Sequence, residues 1–202
     1  MAADPIILAF DTSRAWCAAC LHVGDQPPVT RVDPMARGQA EHLMVMLADM
    51  LNAAGLGWRD VDVIGVGTGP GNFTGIRISV AAARGLAMSL NIAAIGVTGF
   101  EAVAGQTRPC WVALSAPRDQ AYLQHLTDDT GGSAAQLVPA TQLDQLDAPV
   151  IRDDDVTPER QIETIAALAM QRRHQTASRP APFYVRAADA APPRDPAPVI
   201  LP

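Results

Sequence analysis

Aromatic side chains are scarce in this 202-residue chain, at 4% of the total, although 49% of its residues are hydrophobic. A core must therefore be assembled from Ala, Val, Leu, Ile and Met, and small side chains favour close packing between elements. That supply fits a helix-rich α/β architecture of one domain or two small lobes. Basic runs are lacking too. The formal charge is −6 and Arg172-Arg173 is the one tight basic pair, so no footprint for a polyanion is visible and autonomous nucleic-acid binding is not expected. Long apolar runs are missing as well: the stretch 6–10 is too short for a membrane span, is broken by Asp11 and lacks the basic flank of a signal peptide. A cytoplasmic protein with no membrane partner is expected. Three cysteines make no disulfide framework. Cys17 and Cys20 form a C-x-x-C inside a strand-like stretch, where an offset of three points the sulfurs to opposite faces, so both read as buried structural residues.

The patterning that is present organises the chain. Residues 6–10, 15–23 and 29–32 read as three strands of a meander. Across 38–54, Leu43, Met46, Leu47, Met50, Leu51 and Ala54 recur at intervals of three and four, which predicts a helix that Gly55 stops. A strand at 61–66, a glycine-rich turn, a helix at 74–90 and a strand at 92–97 make a β-turn-α-β unit, hence a parallel pair. A short helix at 98–105 and Arg108-Pro109 place a lobe boundary near 107, giving lobes 1–107 and 108–202. The second lobe reads as strands at 110–114, 120–126 and 136–138, then a helix at 158–173 with Thr157 as N-cap and Pro158 at its first position. Prolines from 180 onward forbid a long regular element, leaving a short strand at 183–185 and an extended or disordered Pro-rich tail.

The turn Gly67-Thr68-Gly69-Pro70-Gly71-Asn72-Phe73-Thr74-Gly75-Ile76-Arg77 has the ingredients of an anion site at a helix N-terminus. Its spacing does not match a standard nucleotide grip. No G-K-[ST] follows at P-loop spacing, and G-x-G-x-x-G fails because Asn72 or Thr74 stands where the third glycine belongs. Two readings remain: a tight strand-to-helix connection capped by Asn72 or Thr74, and an anion or partner contact involving Gly69, Pro70, Gly71, Asn72, Thr74, Gly75 and Arg77. The two apolar helices likewise admit two readings, burial in a core or exposure at an interface. On the second helix Ala81, Gly85 and Ser89 lie four apart beside Ala82, Leu86 and Met88, a shallow face that another helix could approach.

Gly69-Pro70-Gly71-Asn72-Phe73-Thr74-Gly75-Ile76-Arg77, together with Asp11-Thr12-Ser13, Gln39-Ala40-Glu41-His42-Leu43 and the late Pro182-Phe183-Tyr184-Val185-Arg186, resembles the TsaB (YeaZ) family. The match covers most of the first hundred residues and one late segment. The resemblance implies an actin-like, hexokinase-like α/β fold of two lobes, the first with a mixed sheet flanked by helices and the second shortened. It also implies a non-catalytic scaffold role in installing N6-threonylcarbamoyladenosine beside the tRNA anticodon, as the partner that binds and activates the TsaD transferase. TsaC would make the threonylcarbamoyl-adenylate donor, TsaE would supply an ATPase, and tRNA would be reached only through the complex. A TsaD interface or self-dimer, formed by the first two helices, is implied at Leu43, Met46, Leu47, Met50, Leu51, Ala81, Ala82, Gly85 and Met88.

Against catalysis by the chain itself, TsaD-type enzymes carry a His-x-x-x-His pair where this sequence has Gly99 and Val103, and neither can ligate a metal. His22, His42, His125 and His174 have no matching ligand nearby in sequence, and no G-x-S-x-G elbow is present. The wider fold uses a D-x-G-T hairpin for nucleotide, but Ser13 takes the glycine position here. The family's D-A-R-x-x-x-x-Y pattern reads Ser115-Ala116-Pro117-Arg118-Asp119-Gln120-Ala121-Tyr122, without its aspartate. The expectation is therefore no catalytic residue, no metal and no cofactor for this chain alone, with ATP only within the complex. A small ATP-dependent kinase or phosphatase of the same fold is the rival reading.

Overall fold

The first sheet is covered by helices on both faces, and the alternation of β1 (Ile6–Asp11) shows how. Leu8 and Phe10 point into one layer of core and Ile7 and Ala9 into the other, all fully buried. A strand buried on both sides reads as a continuous apolar run, which is why 6–10 shows no polar alternation. The computed structural model describes residues 5–128, 132–175 and 178–185. The prolines from 192 onward, Arg186 and Thr176 lie outside the described residues, and with them most of the expected tail.

Five strands, β1, β2 (Trp16–Val23), β3 (Val29–Pro34), β4 (Val63–Gly67) and β5 (Ala93–Val97), form a mixed sheet in the order β3-β2-β1-β4-β5. The meander is antiparallel, whereas β1–β4 and β4–β5 are parallel. The helices α1 (Gln39–Ala53) and α2 (Phe73–Leu90) lie on one face of it. On the other face lies α4 (Pro158–Arg172), whose Ile162, Ile165, Ala166 and Ala169 pack on Ile7, Ala9 and Ile95, so this helix, expected within the lobe 108–202, belongs with the first sheet because its apolar stripe is buried there. Cys17 and Cys20 fall into the two opposite layers.

The second sheet has the order β8-β7-β6-β9, with β6 (Cys110–Ala116), β7 (Gln120–Leu126), β8 (Gln136–Pro139) and β9 (Val150–Arg152). Strand β9 is too short and unpatterned to be read from sequence. The short helix α3 (Gly99–Ala104) packs Phe100 and Val103 against this sheet beside Val112 and Leu114. Phe183–Val185 does not form the expected strand. It is a single pass of chain in which the Phe183 amide donates to the Thr68 carbonyl at 2.8 Å and the Phe183 ring meets Phe100 edge-on.

Helix α2 starts at Phe73, capped by the Asn72 side chain, which accepts from the Gly75 amide at 2.9 Å. Asn91 ends it in the left-handed conformation. Asn72→Ala is expected to cost about 1 kcal/mol, and Asn72→Asp much less, because aspartate keeps the acceptor. Urea midpoints of the two variants check this.

Candidate functional site

The glycine turn is seated on the β1–β2 hairpin by backbone contact. The Asn72 amide donates to the Ser13 carbonyl at 2.6 Å, and the Thr12 hydroxyl donates to the Gly75 carbonyl at 2.7 Å. A Cβ on Gly71 would strike the Ser13 carbonyl oxygen, and one on Gly75 the Thr12 carbonyl oxygen. These two positions require glycine for proximity. Gly69 and Pro70 are buried and joined by a cis peptide bond, and the Gly69 carbonyl accepts from the Gly99 amide at 2.8 Å.

Of the amides at this helix end, those of Asn72, Gly75 and Ile76 are spent on Ser13, the Asn72 side chain and the Asn72 carbonyl. Thr74 is exposed in the first turn. The Arg77 guanidinium lies 3.8 Å from the Phe73 ring centre and its Nε donates to the Tyr184 hydroxyl at 3.1 Å, while Phe73 and Tyr184 stack at 4.6 Å. Of the expected loop residues, then, Gly71, Asn72 and Gly75 hold the hairpin and Arg77 clamps the last described segment.

The hairpin itself is also engaged. Asp11 accepts from the Ser13 amide at 2.8 Å and the Ser13 hydroxyl at 2.9 Å. Burial pushes the Asp11 carboxyl above its ordinary value, opposed by the Ser13 hydrogen bonds and the Arg14 charge. Arg14 crosses to the second sheet and pairs with Asp153, a carboxylate only 7% exposed. Asp153 further accepts from the Ser115 amide at 3.0 Å and the Ser115 hydroxyl at 2.9 Å. The aspartate of the family pattern missing at 115 would set a second carboxylate against Asp153, whereas serine supplies a donor. This Arg14–Asp153–Ser115 clasp draws together positions 139 and 38 residues apart, a conjunction with no local signal in the sequence.

The helix flank differs from the expectation. Leu43, Met46, Leu47, Met50 and Leu51 are at most 7% exposed and belong to the core between α1 and the first sheet, so none is available to a partner. The reason is geometric: the residues repeating at three and four are the face the helix turns to the sheet. What α1 leaves outside is Met44 (40% exposed) and Val45 (58%), the apolar residues off that stripe. On α2, Ala81, Gly85 and Met88 are exposed, Met88 at 83%, while Ala82 is half-buried against the cluster under α1. The apolar residues that these two helices leave outside the core are therefore Met44 and Val45 on α1 and Ala81, Gly85 and Met88 on α2. The signal that could have found Val45 was its position outside the stripe.

His42, beside this flank, approaches Asp33 at 2.6 Å, and Arg31 pairs with the same carboxylate at 2.8 Å. Despite partial burial, the hydrogen bonds from Arg31 and His42 hold the Asp33 carboxyl below the usual range. No helix among the described residues is long and apolar enough to cross a membrane.

The sequence model of the family described as TsaD, tRNA N6-adenosine threonylcarbamoyltransferase, matches residues 33–186. A Haemophilus influenzae protein named tRNA threonylcarbamoyladenosine biosynthesis protein TsaB is 34% identical over 100 residues, covering 48% of this chain and 41% of that protein. The Escherichia coli protein of the same name is 29% identical over 133 residues, covering 62% and 57%. The chain thus spans about half the length of these curated relatives. In three dimensions, YeaZ from Pseudomonas aeruginosa superposes with a TM-score of 0.68 at 22% identity over 89% of this chain and 99% of that one, which establishes a common fold.

Proposed function

Since the chain belongs to the TsaB/YeaZ family, and to the wider TsaD family whose sequence model it matches over residues 33–186, we propose that it serves in tRNA threonylcarbamoyladenosine biosynthesis as a non-catalytic partner that binds and activates a TsaD-type transferase. Its fold is the two-lobed, actin-like α/β fold of that family. The observation that carries the partner role is the apolar residues that α1 and α2 leave outside the core, Met44 and Val45 on the first helix and Met88 with the small residues Ala81 and Gly85 on the second. Small side chains between larger apolar ones let a second pair of helices come close, and methionine adapts to more than one packing. Burying what remains exposed of the three large side chains contributes on the order of 3–5 kcal/mol gross, before the costs of association.

The hairpin supports the non-catalytic reading. Where the wider fold takes nucleotide, Asp11 is held by Ser13, and Arg14 by Asp153. In this reading ATP, a TsaE-type ATPase and tRNA meet the chain only in the assembled complex, and the same flank forms a homodimer when the transferase is absent.

The test is a Val45→Glu, Met88→Glu double variant, both positions exposed so that the fold is spared. Co-purification with the transferase and threonylcarbamoyladenosine content of tRNA are expected to fall at least tenfold, with the melting temperature within a few degrees of the parent. Undiminished co-purification and modification would remove the proposed interface; turnover of ATP by the isolated chain would remove the non-catalytic role.

A further inference from the structure

A cavity of about 670 Å³ opens between the lobes at the C-terminal ends of β4 and β5. Three arginines reach it from three places: Arg108 before β6, Arg172 at the end of α4, and Arg179 in the segment that follows. The sequence contains no lysine, so every cation available is a guanidinium, which matches oxyanions with paired donors.

Among the described residues, the three arginines of this cavity outnumber its two acids. Glu101 is already committed, one carboxylate oxygen accepting from the Thr98 amide at 2.8 Å and the Thr98 hydroxyl at 2.9 Å, the other from Arg172 at 2.6 Å. The remaining acid on the wall, Asp128, is exposed and pairs with neither of the other two arginines. Arg108 is tied by one nitrogen to the Thr107 carbonyl at 2.6 Å and the Gly105 carbonyl at 3.4 Å, which fixes its guanidinium in place. Neither Arg108 nor Arg179 meets a carboxylate among the described residues. Two guanidiniums on one cavity, neither paired with a carboxylate among the described residues, make a receptor for an anion. The volume is that of a small-molecule site.

We infer that this cavity binds a phosphate-bearing small molecule, a phosphomonoester or diphosphate, whose oxyanions are received by Arg108 and Arg179. The Arg172–Glu101 pair lines the same cavity, and the ion pair keeps Glu101 from repelling the ligand. The site is separate from the glycine turn and does not rest on the partner role proposed above.

Pyrophosphate is the probe, titrated calorimetrically into the full chain at low ionic strength. Saturable one-to-one binding is expected. Arg179→Ala, an exposed position without a packing role, is expected to weaken it at least tenfold, and Arg108→Ala likewise. Arg59→Ala, at the opposite end of β4, should leave it unchanged. Circular dichroism verifies that each variant is folded. Absence of saturable binding, or equal affinity in Arg179→Ala and the parent, would overturn the assignment. So would binding of a single-stranded RNA oligonucleotide that depends on Arg179 while pyrophosphate fails to bind, since the surface would then serve a polymer.

Discussion

Gly75→Ala is expected to destabilise the protein by about 3 kcal/mol, the upper part of the range for forcing an extra carbon into a packed site. For a chain of this size that is a fall in melting temperature of roughly 6–12 °C. The added methyl would land on the Thr12 carbonyl oxygen, which is backbone and cannot rotate away as a side-chain end could. Relief would require α2 to slide off the β1–β2 hairpin, which would stretch the bonds from Thr12 to the Gly75 carbonyl and from the Asn72 amide to Ser13. Gly85→Ala, on the same helix, is the matched control. A Cβ there meets nothing within 4 Å, so the usual helical preference for alanine should stabilise by about 0.5–1 kcal/mol. The two substitutions are chemically identical and opposite in expected sign. Denaturant midpoints that shift together would show that close approach to the hairpin is not what the glycine at 75 provides.

Asp153→Ala should be of similar size, about 3–5 kcal/mol, by a different route. It removes the acceptor for Arg14 and for the amide and hydroxyl of Ser115, leaving a guanidinium whose side chain is 15% exposed without its ion-pair partner. Breaking one side of a buried pair costs more than deleting both. Arg14→Met combined with Asp153→Leu should therefore recover much of the loss, and the double-mutant cycle should give a coupling of at least 1 kcal/mol. Because the clasp joins the first hairpin to the second sheet, Asp153→Ala should also speed hydrogen exchange at the Ser115 amide well before that of the β1 core. Additive effects of the single changes would mean that the pair contributes nothing as a pair.

Much of the fold was legible along the chain because its signals are local. The three-and-four spacing from Leu43 to Leu51 marks α1, the Thr157-Pro158 start marks α4, and Asn72 marks the first turn of α2. Periodicity states that a face is buried without stating by what. The stripe on α1 was therefore open to a partner's core as much as to the protein's own, and the structure assigns it to its own first sheet. Helix α4 carries an equally clear stripe, but its destination, the sheet built from residues 6–97, depends on contacts made across more than sixty residues. The 183–185 segment misled because its aromatic and β-branched residues suit a strand. In place they form a strap, with Phe183 on Phe100 and Tyr184 on Phe73.

The amino-acid sequence by itself determined the α/β class, the order of most strands and helices, and the glycine turn whose spacing fits no phosphate grip. These follow from dihedral preference, capping and periodic burial, each settled within a few residues. Tertiary structure alone decided which apolar side chains stand outside the core, Met44, Val45 and Met88, and which charges meet, Arg14 with Asp153 and Arg172 with Glu101. Those outcomes depend on the packing of distant elements. A side chain's exposure and its ionic partner are properties of the assembled surface and have no counterpart in any short stretch of chain.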